Sequence, residues 1–310
     1  MKSIRSYLSD YFRFVNRTVF IVTLAFTAIL VTINYTVGIE KRINTFSSPL
    51  LRFASFSALY IFTFCAVHIG QLLIARKSIP KQKNFLLLLL LCPAVFAAKI
   101  TFDWFTHLTT DHLSYPWKQY WYQVLNWPFK CVLVMALVWL IWKWQRFEKP
   151  VAGLLLKGFD ARPYFFLLLL MIPLIAFAAT RQDFLHTYPK FQRVAFIDSY
   201  VTHPMPWKLL YELCYGIDFI TIELFFRGFL ILVFARFVGK DAILPMAAFY
   251  CTIHFGKPLF ECITSFFGGL ILGAVVYNTR SIWGGVIVHL GIAWLMEAGG
   301  YVGQLVLGYK

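Results

Sequence analysis

The chain has 310 residues, 60% hydrophobic and 14% charged, with 33 phenylalanines and a mean hydropathy of +0.68. So apolar a composition excludes a soluble globular surface, and several stretches run past about 18 residues with almost no charge. The net charge of +15 raises nucleic acid as a partner, but the basic residues fall in short clusters between apolar runs. That pattern orients a membrane protein and suits anionic headgroups, so lipid is the expected partner and nucleic acid is not.

In hydrocarbon the backbone must satisfy its own hydrogen bonds, so these runs are expected to be helices, and no period-2 alternation points to a barrel. The expectation is an all-α, polytopic transmembrane bundle of about eight or nine helices. The residues before Thr18, with Lys2, Arg5, Arg13 and Arg17, lack a cleavable leader's order of charge, apolar core and small-residue site. They read as a basic, partly amphipathic helix entering an uncleaved first span. Candidate spans follow at roughly 18–38, 53–74, 84–102, 128–144, 164–180, 208–235, 243–256, 259–278 and 282–299. Pro93 and Pro173 are expected to kink the third and fifth. The seventh is short, closes on Gly256 and Pro258, and fits a helix packed inside the bundle.

Residues 103–127, with Asp103, His107, Asp111 and His112, read as a water-exposed interfacial loop rather than a metal site. Ligand histidines normally sit on a defined helix with a third ligand. The Trp and Tyr residues at 115–127 suit an aromatic belt at headgroup depth. Counting Lys and Arg on alternate sides gives sixteen against ten, with Lys99, Lys130 and Arg227 inside spans, and puts the N-terminus in the cytoplasm. The six cysteines (Cys65, Cys92, Cys131, Cys214, Cys251, Cys262) lie in or beside apolar runs without a metal-type spacing. They read as small buried hydrophobes. The chain shows no repeat, linker or low-complexity tract, and residues 1–205 read as N-terminal transmembrane helices.

Four ionisable positions stand where hydrocarbon is expected. Glu223 and Arg227 sit inside the apolar run 215–238 at i, i+4, the spacing of a helical ion pair. His254 ends AAFYCTIH and His289 lies in SIWGGVIVHLGIAW. A buried salt bridge that locks helices, and core histidines bonded to neighbouring helices, would account for them without function. A glutamate, an arginine and two histidines on nearby segments are also a set able to move a proton or polarise a carbonyl. Gly268, Gly269 and Gly273, then Gly284, Gly285 and Gly291, would allow the close helix approach that gathers them.

Residues 208–298 resemble the CPBP family of intramembrane proteases, which includes the type II CAAX prenyl endopeptidases and bacteriocin-processing and immunity-like relatives. Glu223-Leu-Phe-Phe-Arg227-Gly228 is similar to the second glutamate, arginine and glycine of its EExxxR motif. Tyr250-Cys-Thr-Ile-His254 is similar to FxxxH, and His289 opens the counterpart of HxxxN. The resemblance implies a protease core at 206–300, in a multi-pass membrane protein (of the inner or plasma membrane, if bacterial). It also implies a peptide or prenylated protein substrate cleaved by activated water. Glu223, or Asp218 one turn before the first glutamate's position, would activate water with His254. His289 would polarise the scissile carbonyl and Arg227 would orient Glu223. No cofactor is expected, although Glu223, His254 and His289 could hold zinc. The first glutamate's position is Ile222 and the asparagine's is Ala293. Those departures motivate an alternative, a catalytically silent relative serving as a peptide-binding, immunity or maturation factor. A proton-coupled transporter is a third option, against which the absence of inverted repeats counts.

Overall fold

The structure is a computed structural model that describes residues 4–146, 151–154 and 159–308. Lys2, Lys149, Lys157 and Lys310, which enter the charge count, lie outside the described residues. Among the described residues every regular element is helical: α1 (Ile4–Phe14), α2 (Arg17–Val37), α3 (Ile39–Asn44), α4 (Pro49–Ile74), α5 (Lys83–Thr101), α6 (Trp104–Thr110), α7 (Trp117–Trp144), α8 (Arg162–Ala178), α9 (Gln182–Thr187), α10 (Met205–Ile222), α11 (Leu232–Val238), α12 (Ile243–Thr252), α13 (Leu259–Thr279) and α14 (Trp283–Leu307). A 3-10 segment, Lys190–Ser199, precedes α10, and a π-helix, Glu223–Ile231, joins α10 to α11.

Local chemistry sets several of these boundaries. The Asn16 side chain accepts the Thr18 and Val19 amides and starts α2. Gly38, in the left-handed region at φ 75°, ends it. Ser48 caps α4, whose first residue is Pro49, a position where the missing N–H costs nothing.

The protein is an all-α, polytopic membrane bundle. Among the described residues six helical stretches are long and apolar enough to cross a bilayer: Arg17–Val37, Pro49–Ile74, Lys83–Thr110, Trp117–Trp144, Leu259–Thr279 and Trp283–Leu307. α8 is a shorter apolar helix of 17 residues. α12 has only ten residues and all are buried, so it is an internal helix. Residues 103–127 are not the loop expected from sequence. Trp104–Thr110 form α6, and α7 starts at Trp117 and runs through Pro128. Its aromatic side chains have an apolar floor to pack on, with Tyr120 and Val124 buried against Val194, Ile197 and Tyr211. His107 pairs with Asp111 (3.4 Å) and Asp103 (3.7 Å), and Lys118 with Asp111 (3.1 Å). Lys118 and His107 hold the Asp111 carboxyl below its ordinary range. Among the described residues no three His, Cys, Asp or Glu side chains gather in a way that would hold a metal ion.

The chain forms two compact units, Met1–Phe102, Leu137–Lys157 and Leu224–Ile282 in the first, Asp103–Ala136, Gly158–Glu223 and Trp283–Lys310 in the second. In the first, α12 and α13 pack closely, with Met246 and Ile243 against Gly273 and Ala247 against Gly269. This approach also brings the buried Cys251 and Cys262 to an Sγ–Sγ distance of 3.9 Å. Cys65 is half-buried and the other cysteines are buried, none of them in a disulfide. Gly228 rests on the chain at Ala152, where a Cβ would come within 2.0 Å of the carbonyl oxygen. In the second unit α14 packs on α8, with Gly284 against the Tyr164 ring and Gly291 against Leu168. Glu297 is buried in α14, and its Oε2 accepts the Lys190 (2.6 Å) and Phe191 (3.3 Å) amides, tying the 3-10 segment to that helix.

These contacts separate two kinds of glycine. Gly228→Ala forces the Ala152 carbonyl to shift, and overpacking of this sort costs about 1–3 kcal/mol. Gly268 has nothing within 4 Å of a built Cβ, so Gly268→Ala keeps only the helix-propensity gain of about 1 kcal/mol. Thermal unfolding in detergent should show a lowered Tm for the first and an unchanged or raised Tm for the second. The reverse order would contradict the packing.

Candidate active site

The second unit brings two of the sequence-predicted site residues into contact. α10 ends at Ile222, Glu223 follows it, and α14 supplies His289. His289 Nδ1 lies 3.0 Å from Glu223 Oε1. A carboxylate only accepts, so Nδ1–H donates and the Nε2 lone pair of a neutral ring is left facing away from the carboxylate. Glu223 is fully buried, whereas the His289 side chain is 15% exposed. The imidazole is therefore the member of the pair that a water or a substrate can touch. The Phe219 ring packs edge-on against it, with centroids 4.8 Å apart, and restricts its tilt.

The seat of the carboxylate is a missing side chain. Gly285 lies four residues before His289, on the same face of α14. A Cβ at Gly285 would come within 2.1 Å of Glu223 Oε2. The glycine thus opens a notch in the helix surface one turn before the histidine, and the carboxylate fills it. The sequence carried this signal in the Gly-Gly pair of SIWGGVIVH, read there only as a close-packing feature.

The places where the motif loses a polar group are apolar in three dimensions as well. Ala293, one turn after His289, is buried with Tyr215 and Phe219 and is covered by Trp127 and Leu290. Ile222 is buried at the end of α10. Asp218 is half-buried one turn earlier on the same helix.

In the first unit, Arg227 is buried, with its guanidinium carbon 3.9 Å from the centre of the Tyr250 ring, a cation–π contact. Tyr250 also packs against the His254 ring, with centroids 4.6 Å apart, and its carbonyl accepts from His254 Nδ1 at 2.8 Å. A carbonyl only accepts, so Nδ1 carries the proton of a neutral ring. The turn after His254 is held from α2 and α3. Asn34 Nδ2 donates to the Phe255 carbonyl (3.0 Å), Tyr35 donates to the Lys257 carbonyl (2.5 Å), and the Glu40 carboxylate rests against Gly256. Sequence reading passed over Asn34, whose signal was a polar side chain inside an otherwise apolar span.

Glu223 and Arg227 stand in the π-helix rather than in the α-helix from which an i, i+4 pairing is expected. A π turn hydrogen-bonds i to i+5, and such turns occur mostly as short insertions, frequently at functional sites. Its residues Phe225, Phe226 and Phe229 are fully buried, the first two against Phe96 and Phe249.

Residues 207–295 match the family model for type II CAAX prenyl endopeptidases, Rce1-like. That stretch is similar to a Rce1-like domain. It is less than a third of the chain, and it contains the Glu223, Tyr250–His254 and His289 motifs from which the resemblance was read. Comparison with curated proteins found no match, nor did comparison with solved structures. The six apolar helices, together with the Rce1-like match, support a multi-pass membrane protein.

The geometry of the pair fixes a tautomer that can be observed. Nitrogen-15 shifts of labelled His289 should report a protonated Nδ1 in the parent protein. Gly285→Ala, which evicts the carboxylate from its notch, should give a mixture of tautomers with the fold retained. An unchanged spectrum would show that the notch does not hold the pair together.

Proposed function

We propose that the protein is an intramembrane endopeptidase of CAAX-protease type, in which a Glu223-oriented His289 activates water against a peptide bond. The observation that carries this reading is the 3.0 Å bond between a fully buried carboxylate and a partly exposed imidazole. Glu223 holds the ring in the Nδ1–H tautomer and stabilises the imidazolium formed when Nε2 takes the water's proton. The same nitrogen then returns that proton to the leaving amine as the tetrahedral intermediate collapses. No covalent enzyme intermediate is required.

In this scheme His289 takes the base role that the motif alone gives to Glu223 or Asp218. His254 and Arg227 enter through their motifs. His254 is proposed as a donor to the developing oxyanion, a role that requires its imidazolium form, and Arg227 supplies fixed positive charge. The scheme needs no metal. A membrane-delivered peptide or a prenylated C-terminus is the proposed substrate, as the Rce1-like description suggests.

A second reading has its own observation. Ala293 is buried in an apolar cluster where the family places an asparagine, and loss of one oxyanion donor costs about a hundredfold or more. A silent relative that binds a membrane peptide would tolerate that packing.

One variant series separates the two. Under the protease reading, the parent cleaves a lipid-anchored CAAX peptide with or without chelator, and Glu223→Ala and His289→Ala each lower kcat/KM by about a hundredfold or more. Under the silent reading, the parent is inactive and Ile222→Glu with Ala293→Asn creates activity. Undiminished cleavage by both alanine variants would remove Glu223 and His289 from the mechanism.

A further inference from the structure

An open cleft of about 490 Å3 in the first unit is lined by none of the candidate site residues. Its walls come from the end of α1, the chain just after α4, the end of α11 with the following 3-10 turn, and the end of α13. Two cations flank one ring there: Lys77 Nζ is 4.8 Å and Lys240 Nζ is 5.5 Å from the centre of Phe14. Lys77 pairs with Asp241 at 2.5 Å, and Gln71 Nε2 donates to the Asp241 carbonyl at 2.6 Å, which holds the turn carrying that carboxylate. Ser78 and Tyr277 add hydroxyls, and Phe14 and Phe237 give the cleft an apolar side.

We infer that this cleft binds the phosphate of an acidic glycerophospholipid, with Lys77 and Lys240 on the phosphate and the apolar side against the start of an acyl chain. The depth is right for a headgroup. The cleft lies where the apolar helices α4 and α13 end and just before α2 begins. α1 carries Phe12 and Phe14 exposed beside Arg13, the composition of a helix lying in the interface. The charge is also matched. Two lysines and one aspartate leave a single net positive charge, which a phosphodiester neutralises. Free phosphate carries about −1.5 to −2 near neutral pH and makes no use of the apolar side.

The full chain, purified in detergent, tests this by native mass spectrometry with phosphatidylglycerol and phosphatidylcholine offered at equal concentration. The expected result is preferential retention of phosphatidylglycerol, reduced about fivefold by Lys240→Ala, the loss expected for one lysine near a headgroup. Lys240→Arg should keep the preference, and millimolar inorganic phosphate should not displace the lipid. Equal retention of the two lipids by the parent protein would overturn the proposal without recourse to any variant. So would displacement by inorganic phosphate, which would assign the cleft to the free anion, or retention unchanged in a folded Lys240→Ala protein.

Discussion

The buried carboxylate of Glu223 is the constraint around which the second unit is organised. An ionised carboxylate in an apolar interior is tolerated only when paired, and removing the partner of such a group costs about 3–5 kcal/mol. Three features meet the demand together. Gly285 removes the side chain that would occupy the carboxylate's place, His289 supplies a donor at 3.0 Å, and Phe219 packs the ring that donates. Each is useful only in the presence of the others, so the pair is specified by the approach of α14 to the end of α10 rather than by any one residue. The same approach produces an asymmetry with chemical consequences, because the acid is sealed and the imidazole is reachable.

Much of the fold was legible in the sequence because bilayer thickness leaves a strong imprint. All nine apolar segments are helical, and the short seventh one is the fully buried α12. The misreadings have physical causes. Residues 103–127 are polar and aromatic enough to resemble a loop, but Tyr120 and Val124 find an apolar floor that only the folded chain provides. The π-helix at Glu223–Ile231 has no periodic signature, since a run of phenylalanines is equally apolar at any pitch. At the site, residue types announced Glu223, Arg227, His254 and His289, because each is expensive in hydrocarbon. Which of them touch depends on helix faces and on the Gly285 notch, and a single sequence does not report an inter-helix register.

The departures from the family pattern take on a shape in the structure. At Ala293 the asparagine's position has become part of a packed cluster with Tyr215 and Phe219, and at Ile222 the first glutamate's position is a buried aliphatic side chain. A carboxylate-aligned imidazole is sufficient machinery for general-base chemistry. It is also a stable core feature in its own right.

A double-mutant cycle on Glu223→Gln and His289→Asn distinguishes them most directly, with cleavage of a lipid-anchored peptide and thermal unfolding measured on the same four proteins. If the two side chains act as one catalytic unit, kcat/KM falls about as far in either single variant as in the double, while all four proteins stay folded. If cleavage is untouched by both substitutions and only the unfolding temperature falls, the pair is a structural clasp and the catalytic account is wrong.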